Sequence, residues 1–281
     1  MSVLTASDGT RIAYHESGEG APVVCLPGGP LLDAASLGDL GGLARRLRLI
    51  QPDYRGAGRS ETPTSTASYR CDALVDDVEA LRVHLRLERI NVLAHCAGAN
   101  VAVQYAARHP ERVNKLVLVT PSTYAVDITV TGDLRREIVG LRKAEPWFAQ
   151  ASAAFEAIQA GQATDIHWDA ITPLTYGRWD DVARAHYARD NAHRNEEGAA
   201  AFGAEGAFDP PATRAALAAF DSPVLLLAGE LDVAAPPRVV AEYAALFPHA
   251  TLVVQPEAGH VPWLDDPTWF ADTIAGFVDE A

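Results

Sequence analysis

The stretch Ile90-Asn91-Val92-Leu93-Ala94-His95-Cys96-Ala97-Gly98 decides how this chain is read. Its apolar first half has the length and make-up of a buried strand. The small residues Ala94, Ala97, Gly98 and Ala102 then let strand and helix backbones approach closely, and a helical pattern continues to His109, where Pro110 stops it. The segment therefore reads as strand, sharp turn and helix, with a cysteine at the apex. A thiol there can reach a substrate from the N-terminal end of a helix. The unpaired N–H groups and positive partial charge of that end favour a thiolate and a developing oxyanion alike. A free cysteine is most often an inert small hydrophobe, so Cys96 gains a chemical meaning only if partners exist elsewhere.

Outward from this turn, strand and helix signals alternate. Residues 3–6 and 11–15 flank Asp8-Gly9 and read as a hairpin. Strands follow at 23–26 and 49–51, with a helical pattern over 37–47 between them and another where Leu74, Val78, Leu81 and Leu85 recur. Strand 90–94, helix 97–109 and strand 113–119 complete the first part. Such alternation predicts an α/β fold with right-handed crossovers and a mostly parallel sheet, edged by the antiparallel hairpin. From 122 to 208 the chain turns to helices and loops rich in alanine and aromatics, read as a helical cap inserted after strand six. Sheet signals resume with helix 211–220, strand 224–228, helix 238–247, strand 251–255 and helix 267–278. The expected division is a core of 1–121 and 209–281 carrying a cap of 122–208.

Bulk properties bound the partners. The 281 residues are 48% hydrophobic and 21% charged, as expected of a soluble globular protein, and the net charge is −14. An acidic chain disfavours nucleic acid and anionic membrane surfaces. No run approaches the ~18 apolar residues of a membrane span, and the first residues lack a secretory pattern. The three cysteines, at 25, 71 and 96, are too scattered for a disulfide framework or a metal cluster. The expectation is a cytoplasmic protein that uses no metal or organic cofactor and takes a small-molecule substrate.

Partners for Cys96 are present. Asp232, in Gly229-Glu230-Leu231-Asp232, directly follows the strand at 224–228. A buried carboxylate there could orient a histidine and stabilise its charged form. His260, in Ala258-Gly259-His260, lies on the loop after the last strand. Two convergent N–H donors are needed for an oxyanion, and we assign Ala97, next to the nucleophile, and Gly29, in Pro27-Gly28-Gly29-Pro30 after the third strand. In the cap, Trp147, Phe148 and Trp179 are candidates for shaping an apolar pocket. Glu197 and Glu205 are candidates for holding a substrate amine.

These motifs resemble the α/β-hydrolase superfamily over nearly the whole chain. The order nucleophile, acid, histidine, each after a strand, is that family's order. Asp53-Tyr54-Arg55-Gly56-Ala57-Gly58-Arg59-Ser60 is similar to its DxRGxGxS loop, and Gly259-His260-Val261-Pro262 to its GH-x-P ending. Pro27-Gly28-Gly29-Pro30 resembles the HGGP motif of prolyl-iminopeptidase-like members, with proline in place of histidine. The resemblance implies eight strands with a cap between the sixth and seventh. Two departures matter: the elbow apex is cysteine, not serine, and the elbow lacks the aromatic neighbour common in prolyl iminopeptidases; alanine also replaces the first elbow glycine.

Four readings follow. The first is a hydrolase forming an acyl-enzyme at Cys96 on an ester, thioester or amide. The second is an acyltransferase or cyclase of natural-product biosynthesis, with a carrier protein as partner if the substrate is a thioester. The third is a serine hydrolase or aminopeptidase whose serine has been exchanged for cysteine. The fourth, a non-catalytic binding protein of the same fold, predicts a degraded triad, whereas Asp232, His260 and the glycine loop are intact.

Overall fold

In the computed structural model, which describes residues 1–280, eight strands form one sheet in the order β1-β2-β4-β3-β5-β6-β7-β8. These are β1 Ser2–Thr5, β2 Arg11–Ser17, β3 Pro22–Leu26, β4 Arg48–Pro52, β5 Ile90–His95, β6 Val113–Val119, β7 Val224–Gly229 and β8 Ala250–Gln255. The hairpin β1–β2 joins β4 antiparallel, and every other pairing is parallel. β5 is buried along its whole length between β3 and β6. That position explains its uninterrupted apolar run, since a central parallel strand is covered on both faces.

The sheet's period-two alternation sorts its side chains into two cores. Val24, Leu26, Val92, Ala94, Leu116, Leu118 and Leu226 face one layer. There they meet helices α1 (Cys71–His84) and α2 (Gly98–Arg108). Val23, Cys25, Leu93, Val117, Val119, Leu225 and Leu227 face the other layer, against Trp263, Phe270 and Ile274 near the C-terminus.

Between β6 and β7 the chain is helical: α3 Gly132–Gly140, α4 Phe148–Gln159, α5 Asp165–Ile171, α6 Asp181–Ala192, α7 Glu196–Phe202 and α8 Pro210–Leu217. After β7 come α9 Pro237–Ala244, α10 Pro262–Asp265 and α11 Pro267–Asp279. Among the described residues no helix is long and apolar enough to cross a membrane.

The helix expected over 37–47 does not form. Two short 3₁₀ turns, Ala34–Ser36 and Leu43–Arg45, stand there instead. Gly38, Leu40, Gly41 and Gly42 all take positive φ between them, which breaks any α-helix. Leu37, Leu40, Leu43 and Leu47 are nonetheless fully buried. The apolar spacing marked a buried segment correctly, but the glycines decided its backbone. Gly41 is needed for space as well: a Cβ there would lie 2.9 Å from the Trp263 carbonyl oxygen.

Candidate active site

The chain enters the site from β5. Cys96 caps its end with φ 49°, a conformation uncommon for a side-chain-bearing residue. The turn is fixed by the Cys96 N–H donating to Val119 O (3.1 Å), while Cys96 O accepts from Ala99 (3.0 Å) and Ser122 (3.0 Å). Clearance is minimal on the side of β3. A Cβ on Gly98 would meet Pro27 O at 2.4 Å, and one on Gly28 would meet Cys96 Cβ at 3.0 Å. The backbone N–H groups of Gly29 and Ala97 both act on the Cys96 thiol and favour its thiolate form.

His260 and Asp232 arrive from the loops after β8 and β7. Asp232 is fully buried. One of its oxygens faces His260 Nδ1 at 2.8 Å, and the other accepts the Ala234 N–H at 2.8 Å. With Nδ1 committed to Asp232, the imidazole has Nε2 left for Cys96. Burial alone would push the Cys96 thiol up. The charge of His260, its hydrogen bond and the Gly29 and Ala97 N–H groups outweigh this and hold the thiol below its ordinary range. Burial likewise disfavours charge on His260. The charges of Asp232 and Cys96, with hydrogen bonds to both, raise it well above the ordinary imidazole value. Both shifts favour the charged forms, thiolate on Cys96 and imidazolium on His260.

The His260 backbone is anchored from three sides. Its N–H donates to Thr175 O (2.7 Å). Its carbonyl accepts from Thr120 Oγ1 (2.9 Å) and from His95 Nε2 (2.9 Å). Burial, then the nearby charge of His260, holds His95 well below the ordinary value, so its ring is neutral with the proton on Nε2. Asp265 adds a clamp, accepting from Gly259 (2.8 Å), Gly177 (3.1 Å) and Arg178 (3.1 Å). The histidine loop is thereby tied to residues 175–178 of the helical insertion. Neither His95 nor Asp265 belongs to a sequence motif that marks it as an anchor of the histidine loop.

The DxRGxGxS segment is a brace. Asp53 is buried and accepts from Ala34 N (2.9 Å), Arg59 N (2.9 Å) and His15 Nε2 (3.1 Å). Arg55 grips Asp77 through two nitrogens and reaches Asp8. Through Ala34, Asp53 holds the loop that follows Gly29, while Arg55 ties the segment to α1 and to the turn at Asp8.

A cavity of about 190 Å³ opens beside His260. Its walls are Phe155, Ile158, Trp168, Ile171 and Leu174 from the insertion and Val233 and Ala234 from the core, with Arg135 and Gln159 on the α3–α4 side. None of the cap residues proposed from sequence lines it. Trp147 stacks under the Arg142 guanidinium, 4.7 Å from its ring centre, and Phe148 packs beside Val139, Ala151 and Phe155. Trp179 packs on Tyr176 and Tyr187. Glu197 and Glu205 are exposed to solvent away from the cavity. Aromatic content marked the insertion's own core, and composition cannot say which face of a helix turns toward a site. Among the described residues no group of three or more His, Cys, Asp or Glu could hold a metal ion.

Comparison with known proteins places this geometry in a wider group. A family model described as alpha/beta hydrolase fold matches residues 21–267. Proline iminopeptidase of Heyndrickxia coagulans is 24% identical over 285 residues, which are 96% of this chain and 96% of that protein. Among solved structures, the esterase EaEST from Exiguobacterium antarcticum has a TM-score of 0.74 at 20% identity, covering 99% of both chains. Proline iminopeptidase of Mycobacterium smegmatis also has a TM-score of 0.74, at 22% identity, covering 99% of this chain and 97% of its own. The two structural likenesses are likenesses of fold.

Proposed function

Because the chain belongs to the alpha/beta hydrolase family, we propose that it is a hydrolase working through an acyl-enzyme at Cys96, with His260 and Asp232 completing a triad. One observation carries this reading. Cys96 sits on a left-handed turn facing His260 and two backbone N–H groups at once, while Asp232 holds the other side of the imidazole at 2.8 Å.

The thiolate attacks the acyl carbon and forms a C–S bond. The carbonyl electron pair moves onto oxygen, which the Gly29 and Ala97 N–H groups hold. The imidazolium of His260 gives its Nε2 proton to the leaving oxygen or sulfur as that bond breaks. Water then attacks the enzyme thioester and His260 takes its proton. The C–S bond breaks, the acid leaves and the ion pair is restored. Asp232 keeps the ring oriented and balances its charge throughout.

Cysteine narrows the substrate. A thiolate leaves a tetrahedral intermediate more readily than an amine does, so attack on an amide tends to revert. Esters and thioesters fit better. Neither Glu197 nor Glu205 reaches the cavity, so neither holds a substrate amine there. The cavity suits a small acyl compound whose chain packs on its apolar walls.

The test is a panel of chromogenic esters and thioesters with intact mass recorded during turnover. An acyl adduct that appears on the parent and is absent in Cys96→Ala supports the reading. Turnover that survives Cys96→Ala refutes it.

A further inference from the structure

The cavity beside His260 is lined by apolar side chains together with the polar groups of Gln159, Thr175, Asp232 and His260, and by one arginine. Arg135, on α3, contributes a guanidinium to its wall. Its neighbours on the same helix are paired: Arg136 with Asp133 and Glu156, and Glu137 with Arg238. Among the described residues, by contrast, no carboxylate stands within ion-pair distance of Arg135, and its side chain donates no hydrogen bond. The cavity's sole carboxylate is Asp232, whose two oxygens are taken by His260 and Ala234. Arg135 is half-buried and faces the cleft with no ion-pair partner inside the protein, which leaves its guanidinium free to take an anion there. A second feature of the wall also looks outward: Trp168 is 53% exposed, an aromatic surface available at the cleft.

We propose that the substrate carries a carboxylate at the end remote from its reacting carbonyl, bound by Arg135 across the apolar wall. This rests on the acyl-enzyme reading above and names its substrate class: an ester or thioester with a short apolar spacer and a terminal acid. The volume agrees, since about 190 Å³ holds roughly six waters at ~30 Å³ each, space for a short chain only. Guanidinium suits the role because its planar fork pairs with a carboxylate through two hydrogen bonds. Arg135 is then a specificity residue outside the proton-transfer machinery.

The experiment uses matched pairs. On the acyl side, S-phenyl hydrogen thioglutarate is compared with its methyl ester. On the leaving-group side, the butanoate of 4-hydroxybenzoate is compared with its methyl ester. In the parent, the charged member of at least one pair should exceed its neutral partner in kcat/KM by roughly ten- to a hundredfold, the range for a hydrogen bond to a charged group. In Arg135→Met that ratio should fall to about one, and in Arg135→Lys it should be partly retained. Equal rates within both pairs in the parent overturn the inference, as does a preference that survives Arg135→Met. If no probe acylates Cys96, the acyl-enzyme reading fails by itself. Glutarate alone then reads the anion site: a rise in melting temperature seen in the parent and lost in Arg135→Met supports it, and no rise overturns it.

Discussion

Replacing Gly98 by alanine tests whether the site depends on the close approach of β3 to the elbow. The added Cβ would lie 2.4 Å from Pro27 O and 2.8 Å from Leu26 O. Ordinary contact begins near 3.4 Å, so the first falls about 1 Å short. Both neighbours are backbone atoms that cannot rotate aside, and β3 is already locked to β5 through Leu26 and Ala94. Relief must separate the start of α2 from the loop bearing Gly29, which pulls apart the two N–H groups converging on Cys96. A misplacement of ~1 Å can cost about 10²-fold in rate. Overpacking of this kind costs roughly 1–3 kcal/mol in stability. The assay is the rate of Cys96 acylation by a chromogenic thioester, read with the thermal midpoint. Gly276→Ala on α11 is the control: nothing lies within 4 Å of its Cβ. It should keep the acylation rate and gain about 0.4–1 kcal/mol. A folded Gly98→Ala protein acylating within about threefold of the parent would refute the reasoning.

Other expectations follow from the same geometry. Asp232→Asn removes the charge that sustains the imidazolium of His260, so the Cys96 thiol should rise. Iodoacetamide alkylation of Cys96 should shift to higher pH, and acylation should fall by about 10³–10⁴-fold. An unchanged alkylation profile would show that Asp232 does not govern the pair. Asp265→Ala strands the buried Gly177 and Gly259 N–H groups. At about 1–3 kcal/mol per unpaired donor, denaturant titration should show a loss of roughly 2–5 kcal/mol. Asp190 has a raised carboxyl, at about 6, chiefly through burial, and its Oδ1 lacks a hydrogen-bond partner. Since the folded value exceeds the unfolded one, its penalty is absent below pH about 4, grows as pH rises to about 6, and stays in full above that. Asp190→Asn should therefore stabilise the protein above pH 6 by up to about 3 kcal/mol, with no gain in acid. Melting curves across pH that show an equal gain at every pH would contradict this.

The β5 stretch carried its own signals, because burial on both faces, small residues at a close crossing and a proline stop are all local properties. The alternation of strand and helix, and with it a mostly parallel sheet, followed from the same local physics. The chain positions of Asp232 and His260 after strands could likewise be read, since a parallel sheet delivers successive strand ends to one edge. Distances could not: the 2.8 Å contact between Asp232 and His260, the Thr120 and His95 anchors and the bond from Gly177 to Asp265 join separate segments of the chain. Leu37 to Leu47 kept its burial but lost its helix to left-handed glycines, where close packing against Trp263 overrides apolar periodicity. The cavity lay furthest from view. Arg135 sits in a polar run, Asp133 to Glu137, that reads as a solvated helix face. Only the packing of α3, α4 and α5 over the core turns that one residue to the cleft while its neighbours find partners. Sequence by itself determined the fold class and which reactive side chains stand at strand ends, because residue type and strand-end position are local. Tertiary structure decided what that chemistry faces, because a pocket wall is assembled from residues with no common spacing.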